Sequence, residues 1–213
     1  MRRRFGALLL AALCLTLAAC AARAGTPIGA ENDKPPAPDG PAEEPDAAAD
    51  EPIRIDAFNV EFAAAGHDED ALLSLQEVFP AALIEALDAR AVVVGSVSVT
   101  FGTSGEATQT AMRSGAVRLA FLPAEDYFPY RGGMIVAHED LPEEELSESV
   151  GLVVAVASDD ARADEQFTEA LRAALPELAP VLAPYTGDGA AGRYVFDAAR
   201  LEAIQRLCEE SEA

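Results

Sequence analysis

Lysine is almost missing from this chain: of its 15 Lys and Arg residues, only Lys34 is a lysine. A Walker-type phosphate loop carries a lysine after its glycine-rich turn, and Schiff-base catalysis needs a desolvated one, so both chemistries are excluded. Tryptophan is absent and aromatic residues make up 6% of the chain, too few for a stacking platform for bases. Two His and three Cys cannot build a His/Cys zinc finger, and no HExxH sequence occurs. Positive charge is in deficit, with 37 Asp and Glu giving a net charge of −22. Nucleic acid is therefore excluded as a partner, because a phosphate backbone demands a basic footprint. What is present is 213 residues, 50% of them hydrophobic, enough for one globular domain with additional segments.

The additional segments lie at the start. Arg2, Arg3 and Arg4 precede an uncharged apolar run from Gly6 to Leu17, shorter than the roughly 20 residues of a bilayer-spanning helix. The run closes on Leu17-Ala18-Ala19-Cys20, which resembles a bacterial lipobox. Residues 1–19 are read as a lipoprotein signal peptide and Cys20 as the lipidation site. The chain would then be anchored in the cell envelope on the extracytoplasmic side, each buried CH₂ of its acyl chains contributing about 0.8 kcal/mol. Maturation removes three Arg and takes the net charge from −22 to −25. Cys208 is left as the only thiol, so the domain must fold without an internal disulfide; its place in an apolar helical pattern makes it a core residue. Residues 20–51 hold the lipidated Cys and a tether. Seven of the chain's 14 prolines fall between Pro27 and Pro52, among Ala, Gly, Asp and Glu. Such a composition cannot offset the entropy of ordering, so the tether is expected to be disordered, with a reach on the order of 100 Å.

Residues 52–213 alternate strand and helix patterns. Ile53–Phe58 alternates with period two, and a helix is expected from about Asp68, kinked or split at Pro80. Val92–Phe101 reads as a buried strand, Glu106–Arg113 as a short helix closed by Gly115, and Val117–Leu122, Gly133–Ala137 and Leu152–Ala157 as further strands. Helices are expected over about Ala163–Leu175, Glu177–Leu182 and Asp197–Glu209. This order predicts an α/β domain with a mostly parallel sheet flanked by helices.

The string VTFGTSGEATQTAMRSGAVRLAFLPAEDY, Val99 to Tyr127, resembles the ABC-transporter solute-binding proteins of the phosphate, phosphite and phosphonate class. The resemblance lies in a strand, a Thr-containing turn, a short helix ending in a small residue and Gly, then an apolar strand running into Pro123 and Tyr127. The late segment Ser158–Leu175, followed by Tyr185 and Val195-Phe196-Asp197, is similar to the C-terminal helices of that class, and the lipoprotein signal fits it. The resemblance implies a periplasmic-binding-protein-like lobe that binds a small phosphate- or phosphonate-like anion without catalysis, with an ABC permease as partner and no cofactor or metal. The chain is short for the class. It joins the opening half of the first lobe almost directly to its closing half near His138 to Val150, so a single lobe is expected. Gly105 stands where an aromatic residue is usual, and Arg118 where an Asp is common.

The candidate ligand site is the turn Thr103-Ser104-Gly105 with Tyr127. Small hydroxyl residues before a helix offer hydroxyls and backbone N–H groups at the positive end of the helix dipole. Ligands of open α/β sheets lie beyond the carboxyl ends of the strands. Ser and Thr at such a place are equally the preferred N-caps of any helix. Gly187–Gly192 fits GxGxxG but follows Pro184-Tyr185-Thr186 rather than a strand, and reads as a glycine loop. His67 and His138 lie beside acids and are expected at the surface, and Glu143-Glu144-Glu145 reads as a solvated connector. Two functions follow: a membrane-anchored solute-binding protein or one-lobe derivative, and a scaffold lipoprotein that retains the lobe without its ligand. No acid/base or nucleophile constellation points to an enzyme.

Overall fold

A computed structural model describes residues 51–63, 68–146, 149–186 and 193–211. The signal segment, Cys20, nearly all of the tether, His67 and the glycine loop 187–192 lie outside the described residues. Six strands form one sheet in the order β2-β1-β3-β5-β4-β6. β1 (Ile53–Ala63) pairs in parallel with β2 (Val92–Gly102) along its length, and with β3 (Leu119–Pro123). β5 (Gly151–Ala155) lies antiparallel between β3 and β4 (Met134–Glu139), and β6 (Tyr194–Val195) is antiparallel to β4. Four of the six strands, β1 to β4, thus share one direction. Both ends of the folded region contribute to this sheet. The chain passes from β4 to β5 through Asp140–Val150, where only a short 3₁₀ turn at Glu143–Glu145 intervenes, so the lobe closes on itself as expected.

The helices cover both faces. α1 (Glu69–Asp88) and α4 (Ala161–Thr186) pack on one side, with α2 (Gly105–Arg113), the single-turn α3 (Ala124–Tyr127) and α5 (Ala198–Ser211) on the other. Strands in this position need apolar side chains on both faces, which is why β3 and β5 read as continuous apolar runs. Leu119 and Phe121 enter the first core while Ala120 and Leu122 enter the second. The same alternation sends Val153 one way and Leu152 and Val154 the other. Cys208 is buried in the second core, as its helical pattern implied.

The late prolines behave differently from expectation, and of the two outcomes expected at Pro80 the split does not occur. α1 runs unbroken through Pro80, and α4 through Pro176, Pro180 and Pro184, so the two late helices expected before Leu182 are one. A proline removes one helix bond and crowds the carbonyl four residues back. Pro176, Pro180 and Pro184 recur every four residues, all exposed, so this loss falls on the solvent face. The opposite stripe, Leu171, Ala174, Leu175, Leu178 and Leu182, stays packed. Among the described residues, no helix is long and apolar enough to cross a membrane.

Arg118, the departure noted above, links the two layers. Its guanidinium lies 3.2 Å from Asp164 Oδ1 at the start of α4 and 5.2 Å from the centre of the Phe167 ring. Asp164 also accepts from Ser158, from the backbone N–H at 2.6 Å and the hydroxyl at 2.8 Å. Because Asp164 is buried, its removal leaves the Arg118 charge without a partner. Asp164→Ala is expected to cost about 3 kcal/mol, read as a lower urea midpoint at unchanged slope.

Candidate functional site

At one end of the sheet the strands leave a cleft of about 400 Å³. Ala63, Gly102 and Pro123 bring the carboxyl ends of β1, β2 and β3 to it, and Glu139 the end of β4. Gly151 lines it from the start of the antiparallel β5, and Tyr185 and Thr186 from the last turn of α4. This is the end at which α/β sheets hold ligands, and the end at which the sequence placed the site.

The cleft is lined by hydroxyls and acids, and none of the described residues that line it is Arg, Lys or His. Three lining residues are glycines, and each stands against a carboxylate. A Cβ on Gly105 would collide with Asp126 Oδ1, one on Gly102 would collide with the Thr108 hydroxyl and lie 3.0 Å from Glu61 Oε1, and one on Gly151 would lie 3.1 Å from the Glu139 carboxyl carbon. Gly105 and Gly151 therefore make room for acids, and Gly102 for the Thr108 hydroxyl with Glu61 behind it. Burial raises the Asp126 carboxyl above the ordinary carboxylate range. It raises Glu139 too, although the Gly151 N–H donating to its Oε2 at 2.8 Å opposes the shift. Burial, and then the Glu139 charge, push the Tyr185 phenol up, so it stays a donor, to Ala63 O at 3.0 Å. Tyr194 is raised by burial first and by its neighbours Tyr185 and Glu139 after that.

Glu61 is the least satisfied of these groups. It is 8% exposed, its Oε2 accepts from the Thr100 hydroxyl at 3.4 Å, and its Oε1 is buried with no hydrogen-bond partner. A buried carboxylate normally has a cation or several donors, because desolvation otherwise costs several kcal/mol. The strand pattern explains the placement. Phe58, Val60 and Phe62 point into the first core, so Glu61 points to the other face, beneath α2.

Of the residues singled out from the sequence, Ser104 and Gly105 line the cleft, while Thr103 and Tyr127 do not. Tyr127 is a correction. It ends α3 buried in the second core, its ring edge-on to Phe128 at 5.6 Å and to Tyr130 at 6.2 Å, because the chain turns into a helix directly after Pro123. Ser104 is the N-cap of α2, its Oγ accepting from Ala107 N at 3.2 Å, while Thr103 is exposed. Ser104→Ala is expected to cost about 1 kcal/mol through loss of the cap, and Thr103→Ala less than about 0.5 kcal/mol; equal losses in thermal melts would contradict this division. The anion seat imagined at Gly105 has the Asp126 carboxylate against it.

His138 also differs from expectation: it is fully buried within β4, with Nδ1 2.6 Å from Glu139 O and Nε2 without a partner. Its neighbours Val136 and Ala137 are buried as well, so the strand continues past the apolar run that marked it in the sequence. Glu143–Glu145 is exposed, as a solvated connector should be. Among the described residues, no group of three His, Cys, Asp or Glu is placed to hold a metal ion. Glu61, Asp126 and Glu139 were not singled out from the sequence. Only Glu61 carried a signal, as the polar residue between Val60 and Phe62 in an alternation that continues beyond Phe58.

No family model matches the chain, and neither does any curated protein sequence. Two solved structures of the protein XAC2383 from Xanthomonas citri are similar in fold. The one bound to ATP has 6% sequence identity and a TM-score of 0.50, covering 73% of this chain and 96% of that one. The one bound to chloride has 6% identity and a TM-score of 0.51, covering 72% of this chain and 96% of that one. At this identity the likeness is one of fold: the chain is a single α/β lobe.

Proposed function

We propose that the protein is a membrane-anchored, extracytoplasmic solute-binding lobe that holds a small molecule in the cleft at the carboxyl end of its sheet and performs no chemistry on it. The observation that carries this reading is the cleft itself, about 400 Å³, walled by three glycines and by hydroxyl groups. A concave site of this size with a few convergent polar groups is the usual form of a small-molecule site. The fold relative that is bound to ATP in one structure and to chloride in the other supports a ligand-holding lobe. The anchor and spacer are proposed at Cys20 and over residues 20–51. A lobe on its own covers a ligand from one side, so an ABC permease or another closing partner is part of the proposal.

The oxyanion implied by resemblance to the phosphate and phosphonate class is not what this cleft favours. Among the described residues its walls carry carboxylates and no cation, and Asp126 stands where the anion would sit. That same carboxylate favours a second reading, a scaffold lipoprotein that retains the lobe without a ligand. Native mass spectrometry of the full chain purified from membranes separates the two. The binding reading expects a small molecule retained at one copy per chain, on a protein that begins at an acylated Cys20. A ligand-free mass across preparations supports the scaffold, and a chain retaining Met1 removes the anchor.

A further inference from the structure

We infer that the free edge of β2 is a self-association surface: two copies of this chain pair β2 with β2, antiparallel about a two-fold axis at Ser98, and join their sheets into one. β2 is the end strand of the sheet, and among the described residues no strand lies on its outer side. It runs for 11 residues, roughly 35 Å at about 3.3 Å each. Its sequence, VVVGSVSVTFG, holds no charge and no proline. An edge strand turns a row of backbone N–H and C=O groups outward, and native proteins protect such edges by shortness, charge, proline or a covering element. The opposite edge of this same sheet is protected in that way: β6 has two residues and Arg193 directly before it. At β2, Gln76 of α1 donates Nε2 to Val99 O at 3.0 Å, which reaches a single carbonyl of the strand. Gly95, Ser96, Ser98 and Thr100 are exposed.

The occupant follows from charge and from register. With a net charge of −22, a second copy is repelled wherever acids crowd the surface. The uncharged strip of β2 is where two copies meet with least repulsion, and at physiological salt the remainder is screened beyond about 8 Å. The chain ahead of β1 is a poor occupant, because the seven prolines between Pro27 and Pro52 cannot donate to a ladder. From Gly95 onward β2 alternates. Val97, Val99 and Phe101 pack toward the core beneath α1, while Ser96, Ser98 and Thr100 face the other way. A two-fold through Ser98, perpendicular to the sheet, sets like against like. Val97 meets the partner's Val99, Ser96 meets the partner's Thr100, and Ser98 meets the partner's Ser98. Phe101 falls opposite the partner's Gly95, where an aromatic ring covers the bare glycine backbone. A one-residue slip would set valines against hydroxyls. Gly102, a residue of the cleft wall, faces the partner's Val94, so the second copy stands beside the cleft.

Sedimentation velocity of the purified full chain at about 0.15 M salt tests the pairing. A mass of two chains is expected at micromolar concentration. Ser98→Lys sets two like charges face to face at the axis and is expected to weaken the dimer by at least about tenfold. Because Ser98 is exposed, this variant is expected to keep the circular dichroism spectrum of the parent. Ser98→Cys is expected to give a disulfide-linked dimer on mild oxidation, beyond the parent's background, since directly opposed side chains of paired strands lie within reach of one another. Ser96→Cys alone is expected to stay unlinked, and Ser96→Cys combined with Thr100→Cys to link. A parent that sediments as one chain overturns the inference. So does a dimer that survives Ser98→Lys unchanged, or one that cross-links through Ser96→Cys as readily as through Ser98→Cys.

Discussion

Phe62→Ala is expected to lower folding stability by about 3–5 kcal/mol, the range for deleting a buried aromatic ring. Phe62 is fully buried, and its ring is the hub of an aromatic cluster. It stacks on Phe121 of β3 at 4.3 Å and 14°, and meets Phe79 of α1 at 5.2 Å and Tyr185 of α4 at 5.0 Å, both edge-on. One side chain therefore ties the sheet to both helices of that face, and the geometries are those in which aromatic pairs add to simple area burial. Its neighbours belong to a packed core that cannot collapse into the space left behind. The loss reaches the cleft as well, because Tyr185, which leans on Phe62, holds the Ala63 carbonyl at the cleft edge. Urea denaturation is the measurement. Leu73→Ala, at a position 55% exposed, is expected to shift the midpoint by less than about 0.5 kcal/mol, and a Phe62→Ala loss of that small size would mean the hub does not hold the layers together.

Gly133→Ala is expected to cost about 3 kcal/mol, against about 1 kcal/mol for Gly115→Ala. Both glycines have left-handed backbone, with φ of +71° and +72°, so both substitutions carry the penalty of placing a Cβ residue there. They differ in what the new atom meets. Nothing lies within 4 Å of a Cβ on Gly115, whereas one on Gly133 would drive into the Ala155 backbone carbonyl. That carbonyl ends β5, which pairs with β4 immediately after Gly133, Met134 facing Ala155. Relief therefore requires the two strands to part. The difference between the two variants isolates the steric contribution from the conformational one, and equal midpoints would show that β4 can shift freely.

Layer order was legible in the sequence, and site chemistry was not. Strand and helix alternation from Ile53 to Glu209 follows from side-chain period alone, and β3 and β5 announced themselves as apolar runs because they are covered on both faces. The short helix α2, its cap at Ser104 and the position of the cleft beyond the strands' carboxyl ends were all readable locally. The unbroken course of α4 was not, since the harm of a proline depends on which face of the helix it occupies, a property set by packing. Acidic character at the cleft was hidden for another reason. Glu61, Asp126 and Glu139 are far apart in sequence, and in a chain with 37 acids three of them carry no mark. Asp126 and Glu139 reach the cleft beside Gly105 and Gly151, which leave space for them, a pairing visible only in three dimensions. The hydroxyl-rich turn drew attention to the end of the sheet where the cleft lies, and gave no sign of the acids that line it.

The glycines also offer the most direct test of the account, because their amide signals fall in a sparse region of a nitrogen–proton correlation spectrum. Titrating the labelled full chain with inorganic phosphate, ATP and spermidine in turn is expected to move the signals of Gly102, Gly105 and Gly151 together and saturably with one of them, while those of Gly115 and Gly132, away from the cleft, stay in place. Signals that stay fixed throughout, or shifts gathered on the exposed turn at Glu143–Glu145 instead, would contradict a ligand seat at the end of the sheet.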